Sequence, residues 1–343
     1  MMELLEKLSN AFGAPGHEQE VKDILIEFFK EKFNLSPVEG EHVGNLTFIK
    51  EGKPGKPRIM LDAHLDEVGF HVYGYTGDGD LRVVALGGID DRVLPAKFVL
   101  VGKEKIHGVM GLLPPHDENS DITKVAKLSS YAIDIGCKSK DEAQGLAPIG
   151  TPVAFDTTFE DWGEIVKGKS FDDRAGCWAV AKVFETQTDC TIIASFTMGE
   201  ELGVMGSRYA VRKHKPNLVI CLEGTSAGDT PEVDEHVVCS RMGAGPVITF
   251  EDRGVIIPKK TRLQLEKCAQ TNKIPWQYKG TVTGGTNAGL MHMENGGTPC
   301  LVVAAGCRYI HSPVSLASKA DLENIVKLTK AYIKTVDKEG IAL

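Results

Sequence analysis

No stretch of the 343 residues approaches the roughly 18–20 consecutive apolar residues of a membrane span, so no membrane partner is expected. The opening segment, MMELLEKLSNAFGAPGHEQE, has acids where a signal peptide carries a basic region ahead of an apolar one, and a cytoplasmic location is expected. Among the eight cysteines there is no CxxC pair, which removes the commonest zinc-ribbon and redox patterns; they read as small buried hydrophobes. Positive charge is in short supply, 39 Lys and Arg against 47 Asp and Glu, and no long basic tract offers a nucleic-acid footprint. The glycine pairs around Gly243–Gly245 and Gly284-Gly285 lack the strand-to-helix setting of a phosphate loop and read as close backbone turns. A serine-nucleophile elbow is not expected either.

What is present is an α/β pattern with a long interruption. Leu4, Leu5 and Leu8 recur at helical spacing over 2–11, and Val21, Ile24, Leu25, Phe28 and Phe29 mark a second helix. Strands are expected at Leu46–Ile49 and Arg58–Leu61, the latter running into a polar group at His64-Leu65-Asp66. From about Phe70 to Asp161 come short β-like runs such as Phe98–Val101 and Gly108–Leu113, many glycines, Pro114-Pro115 and one helix near Lys140–Gly145. Alternation then resumes: helix Arg174–Glu185, strand Thr191–Phe196, helix Gly203–Lys213, strand Leu218–Leu222, and a closing amphipathic helix over Ala317–Val336. The expectation is an α/β/α sandwich from 1–70 and 164–343, with 71–163 inserted as a β-rich domain.

Five polar clusters stand at the ends of apolar runs: His64-Leu65-Asp66, Phe171-Asp172-Asp173-Arg174, Gly199-Glu200-Glu201, Leu222-Glu223-Gly224 and Tyr309-Ile310-His311-Ser312-Pro313. Singly, each reads more readily as a satisfied core group or a solvated face. Together they are harder to dismiss, because carboxylates gathered at one sheet edge repel one another unless a cation neutralises them. Two histidines with several carboxylates suit a hydrolytic zinc, cobalt or manganese pair. Residues two apart on an extended segment point the same way, so Asp66 can lie beside His64 and hold its ring. Glu200 and Glu201 can both reach one site only at a turn. Arg174 is expected to partner Asp173. His17, His42, His214 and His236 are expected at the surface, and His116 as structural or interfacial.

The segments LDAHLDEVGF, GKSFDDRAGC, GEELGVMGS, LEGTSAGD, GAGPVI, GGTNAG and RYIHSP follow one another across nearly the whole chain. In that order they resemble the co-catalytic metallopeptidases of family forty-two, the TET-type glutamyl, leucyl and deblocking aminopeptidases, some relatives of which are labelled cellulase or endoglucanase. The resemblance implies two divalent ions per subunit, one held by His64, Asp172 and Glu223 and the other by Asp172, Glu201 and His311. It also implies Glu200 as general base, a cis bond between Asp172 and Asp173, and short peptides as substrates. The insert would serve oligomerisation, from a dimer up to a tetrahedral dodecamer. Gly285, Thr286 and Asn287 would lie near the substrate. The chain departs from the family in having Glu223 and Asn287 where Asp is common. Two rival readings stand beside this one: a glycoside hydrolase of endoglucanase type, and a non-catalytic, metal-braced peptide-binding assembly.

Overall fold

A computed structural model describes residues 2–112, 116 and 123–343; Pro114-Pro115 and the end of the Gly108–Leu113 run lie outside the described residues. Two strands open the fold, β1 (Leu46–Lys50) and β2 (Arg58–His64). The next six are β3 (Gly69–Tyr75), β4 (Leu81–Leu86), β5 (Phe98–Val101), β6 (Ile106–Gly111), β7 (Ala132–Asp134) and β8 (Pro152–Phe155), and they close into a barrel in the order β3-β4-β7-β6-β5-β8. Alternating side chains fill it: Phe70, Val72, Leu81, Val83, Val99, Val101 and Ile133 form a core separate from that of the rest of the chain.

The chain then adds β9 (Glu160–Asp161), β10 (Ile165–Gly168), β11 (Thr191–Thr197), β12 (Leu218–Ser226), β13 (Val247–Ile248), β14 (Gln277–Tyr278), β15 (Cys300–Arg308) and β16 (Ser315–Ser318). With β1 and β2 they make a ten-stranded mixed sheet ordered β1-β11-β2-β12-β15-β16-β10-β9, with β13 beside β15 and β14 beside β13. Its middle strands, β11, β2, β12 and β15, are parallel. They are buried almost end to end, which is why they read as unbroken apolar runs rather than alternations.

The described residues also include eight α-helices: α1 (Glu3–Asn10), α2 (Gln19–Phe33), α3 (Lys140–Leu146), α4 (Phe171–Val183), α5 (Ser207–His214), α6 (Lys259–Thr271), α7 (Ala288–Met291) and α8 (Lys319–Glu339). Helix α4 packs on β2 and β12 and touches α1 and α8, whereas α5 and α7 pack on each other and on β11, β12 and β15. Phe29 of α2 stacks flat on Phe48 of β1 at 4.0 Å between ring centroids. None of the helices among the described residues is long and apolar enough to cross a membrane.

Several boundaries differ from expectation: β2 and β12 run on to His64 and Ser226, and α4 spans Phe171–Val183 rather than Arg174–Glu185. Helix α5 starts at Ser207 rather than Gly203, because Gly199, Gly203 and Val204 take positive φ and turn the preceding segment. Ala317 and Ser318 end β16, and α8 begins at Lys319 with the Ser318 hydroxyl accepting from the Asp321 N–H.

Candidate metal centre

In a parallel sheet the carboxyl ends of the strands share one edge, and residues just beyond them converge there. His64 is the last residue of β2 and pairs in register with Thr197, the last of β11. Beyond Thr197 the chain turns at Gly199, which takes its φ of +66° without strain, and delivers Glu200 and Glu201. Glu223 lies on β12, two residues beyond Cys221, which is in register with Asp62 of β2. His311 follows β15 on a turn in which Tyr309 and His311 both have positive φ. Asp172 stands at the start of α4, where it and Asp173 are not yet helical, and the bond between them is cis.

These elements place His64, Asp172, Glu200, Glu201, Glu223 and His311 on the wall of one cavity of about 430 Å³. The two oxygens of Asp172 face different imidazoles: Oδ1 is 2.9 Å from His64 Nε2, and Oδ2 is 3.3 Å from His311 Nε2. Glu223 Oε2 lies 3.9 Å from His64 Nε2, Glu201 Oε1 3.3 Å from His311 Nε2, and Glu200 Oε2 4.0 Å from His64 Nε2. The far nitrogen of each ring is tied down: His64 Nδ1 bonds the Asp66 carbonyl at 3.0 Å, and His311 Nδ1 bonds the Gly88 carbonyl at 2.9 Å. When each Nδ1 carries the proton, both Nε2 lone pairs point into the carboxylate cluster.

Four carboxylates crowded in this way repel one another by about 4 kcal/mol per pair at 4 Å in a partly screened site. Burial, reinforced by the Asp172 charge, pushes Glu200 up to about 7 and Glu201 up to about 8. Burial alone would lower His311, but Asp172 and Glu201 outweigh it and raise it to about 9. Among the described residues, buried Glu201 Oε1 and Glu223 Oε1 accept no hydrogen bond. Orphaned hard-oxygen donors beside imidazole nitrogens turned into the carboxylate cluster fit divalent cations. His64 has ligand atoms within 4.8 Å of those of Asp172 and Glu201, and also of Asp173 and Glu223. Of the two aspartates Asp172 suits a cation better, because the Asp173 carboxylate is already taken by the backbone N–H groups of His64, Gly176 and Gly224.

A profile of the M42 glutamyl aminopeptidase family matches residues 44–328. The chain belongs to that family. It is 30% identical to the glutamyl aminopeptidase of Lactococcus lactis subsp. cremoris, over 99% of both chains. It is 30% identical to the lysyl aminopeptidase of Pyrococcus furiosus, over 97% of this chain and 96% of that one. Among solved structures, the TET aminopeptidase of Thaumarchaeota archaeon SCGC AB-539-E09 superposes with a TM-score of 0.93 at 32% identity, covering 99% of this chain and 97% of that one. The Pyrococcus horikoshii TET1 peptidase, described as assembling into a tetrahedron or a large octahedral shell, gives 0.84 at 29%, covering 96% and 98%. A Thermotoga maritima protein titled endoglucanase gives 0.79 at 33%, covering 97% and 99%. The protein is thus a peptidase with a mixed α/β fold.

Several side chains of this M42 peptidase sit differently from expectation. Asp66 reaches the His64 ring mainly through its backbone carbonyl; its carboxylate, 3.4 Å from Nδ1, accepts instead from the backbone N–H groups of Glu200 and Glu201 at 3.0 and 3.1 Å. Arg174 does not pair with Asp173 but with Glu67 at 3.3 Å. Gly285 and Thr286 line the cavity, whereas Asn287 is fully buried away from it, donating to Asp62 at 2.8 Å and to Thr197 at 2.7 Å. His17, His42 and His236 are exposed, but His214 is buried and bonds Glu41 at 2.8 Å. Seven of the cysteines are buried and Cys137 is half-buried; all eight are free. Gly224-Thr225-Ser226-Ala227-Gly228 does spell Gly-x-Ser-x-Gly, but Ser226 ends β12 without a following helix and is no nucleophile elbow. Unanticipated in the sequence were the Gly88 carbonyl and Lys279, which also line the centre's cavity.

Proposed function

We propose that the protein is a two-metal aminopeptidase that removes N-terminal residues from short peptides. The observation that carries this reading is Asp172, whose two oxygens are shared between His64 and His311 in the manner of a bridging ligand. His64, Asp172 and Glu223 would hold one divalent ion, and Asp172, Glu201 and His311 the other; zinc, cobalt and manganese all suit this donor set. Bound there, such ions would lower the pKa of a water and polarise the scissile carbonyl.

Glu200 is left over from this ligand set, and a merely structural site needs no spare carboxylate. It lines the cavity with its carboxylate near His64, placed to take the proton from the attacking water and pass it to the leaving amine. Asp66 positions it by holding the Glu200 and Glu201 backbone. The acidic wall would receive a free α-amine, which favours trimming from the N-terminus. Gly285 and Thr286 would border the substrate. A glycoside hydrolase needs two carboxylates flanking a sugar bond and has no use for two imidazoles set between them.

The inserted barrel is proposed to mediate homo-oligomerisation. Phe98, Tyr73 and Val84 are large apolar side chains left 64%, 49% and 46% exposed on its strands. A cytoplasmic site of action is proposed as well.

Glu200→Gln tests the assignment of the base. It should leave metal content unchanged and lower kcat by roughly 10²–10⁴-fold. Turnover within a few-fold of the parent enzyme would sink the assignment.

A further inference from the structure

Family membership does not decide which N-terminal residue is removed, since relatives of equal identity carry glutamyl and lysyl names. The cavity itself holds an asymmetry that bears on the choice. Apart from the two histidines, its described lining contains a single basic side chain, Lys279, next to β14. Only two lysines among the described residues are buried, Lys169 and Lys279. Lys169 is neutralised by Glu67 at 2.6 Å. Lys279 is 5% exposed and, among the described residues, has no carboxylate within ion-pair distance; its ammonium donates only to the Thr283 carbonyl, at 2.6 Å.

An ammonium has three donors, so two are left for whatever enters the cavity. A buried charge lacking a counter-ion is costly, and an incoming anion that pairs with it recovers much of that cost. Elsewhere the lining of the same cavity suits such an anion: Thr225, Ser226 and Thr249 belong to it, as do the apolar Val302 and Ala304. The acidic groups of the cavity are those of the metal centre.

We infer that Lys279 is a specificity residue that selects substrates whose N-terminal residue is aspartate or glutamate, its ammonium pairing with their side-chain carboxylate. The inference rests on the aminopeptidase reading above. The α-amine goes to the carboxylate wall and the side-chain carboxylate to Lys279. A basic side chain would meet like charge there, and an aliphatic one would leave the ammonium unpaired.

The test uses the metal-loaded enzyme on Glu-, Asp-, Leu- and Lys-p-nitroanilides, with a Leu-Gly dipeptide and its C-terminal amide beside them. Expected is a kcat/KM for Glu or Asp at least ~10-fold above Leu and Lys, a margin of the size that one desolvated charge contact gives. Lys279→Met should lower the Glu-to-Leu ratio by about the same factor, chiefly through KM, and Lys279→Arg should retain the acidic preference. Leu or Lys substrates cleaved as well as Glu by the unmodified enzyme overturn the inference and leave the aminopeptidase reading intact. So does a marked preference for the free dipeptide over its amide without an acidic preference, which would assign Lys279 to the C-terminal carboxylate. A proportional fall on every substrate in Lys279→Met, unrescued by Lys279→Arg, makes Lys279 a mere tether of the Thr281–Thr286 loop and overturns it too. Cleavage of none of these free-amine substrates by the unmodified enzyme overturns both readings.

Discussion

Asp66 acts on the centre from behind. Its two carboxylate oxygens accept the N–H groups of Glu200 and Glu201, and its own carbonyl fixes the Nδ1 side of His64. One buried residue therefore orients the spare glutamate, a neighbouring carboxylate and an imidazole together. A different kind of residue-scale coupling ties the loops ahead of β2 and β11 to α8: the Asp337 carboxylate accepts from the Asp189 N–H and the Thr188 hydroxyl and meets the Lys56 ammonium at 2.7 Å. The Lys56 hydrogen bond, with these donors, holds Asp337 down at about 2. Because the folded value lies below that of an unfolded aspartate, about 3.9, the stabilisation is present above pH 4 and drains away as pH falls toward 2. The group is partly solvated, so its worth is about 1 kcal/mol or less. The thermal midpoints of the parent and Asp337→Asn should converge as pH drops from 5 to 3; a gap that stays constant over that interval contradicts this. Legibility at this scale divides by the kind of contact. His64, Asp172, Glu200, Glu201, Glu223 and His311 stand in recognisable motifs, and the fold brings them together. The partner of Arg174, the burial of His214 and Asn287, and the place of Lys279 depend on segments distant in sequence, which no local pattern records.

At the scale of elements, the centre depends on strands ending together and on one helix starting very close to them. Gly176 in α4 shows how close: a β-carbon there would lie 2.0 Å from the Leu222 carbonyl oxygen of β12 and 2.3 Å from Asp173 Oδ1. Only glycine lets α4 bring Asp172 and Asp173 against the end of the sheet. Strands β2 and β11 were legible because each apolar run stops at a polar cluster. Strand β15 was not: its run CLVVAAGC also stops at a polar cluster, but it has no period to distinguish strand from buried helix. Helix α6 escaped notice because KKTRLQLEKCAQT buries only a narrow face. The β-rich character of the insert was legible from its short runs and glycines. Its closure into a barrel was not, because closure depends on β8 pairing with both β3 and β5.

For the whole molecule, the barrel and the large sheet have separate cores yet meet at the centre, where the loop after β4 supplies the Gly88 carbonyl to His311. A shift of the barrel would therefore reach a proposed ligand directly. With apolar side chains exposed on its strands, the barrel should hold copies of the chain together, and sedimentation velocity should show a dimer or a dodecamer; a monomer at micromolar concentration would contradict that role. The chemistry is tested most directly by stripping the protein of divalent cations, titrating zinc, cobalt or manganese back, and following hydrolysis of a free-amine peptide and its N-acetylated twin. Activity should vanish on stripping, return to a plateau at about two equivalents per chain, as a two-metal site requires, and appear only on the free amine. Full-rate hydrolysis by the stripped protein, or equal rates on the two peptides, would contradict a two-metal aminopeptidase.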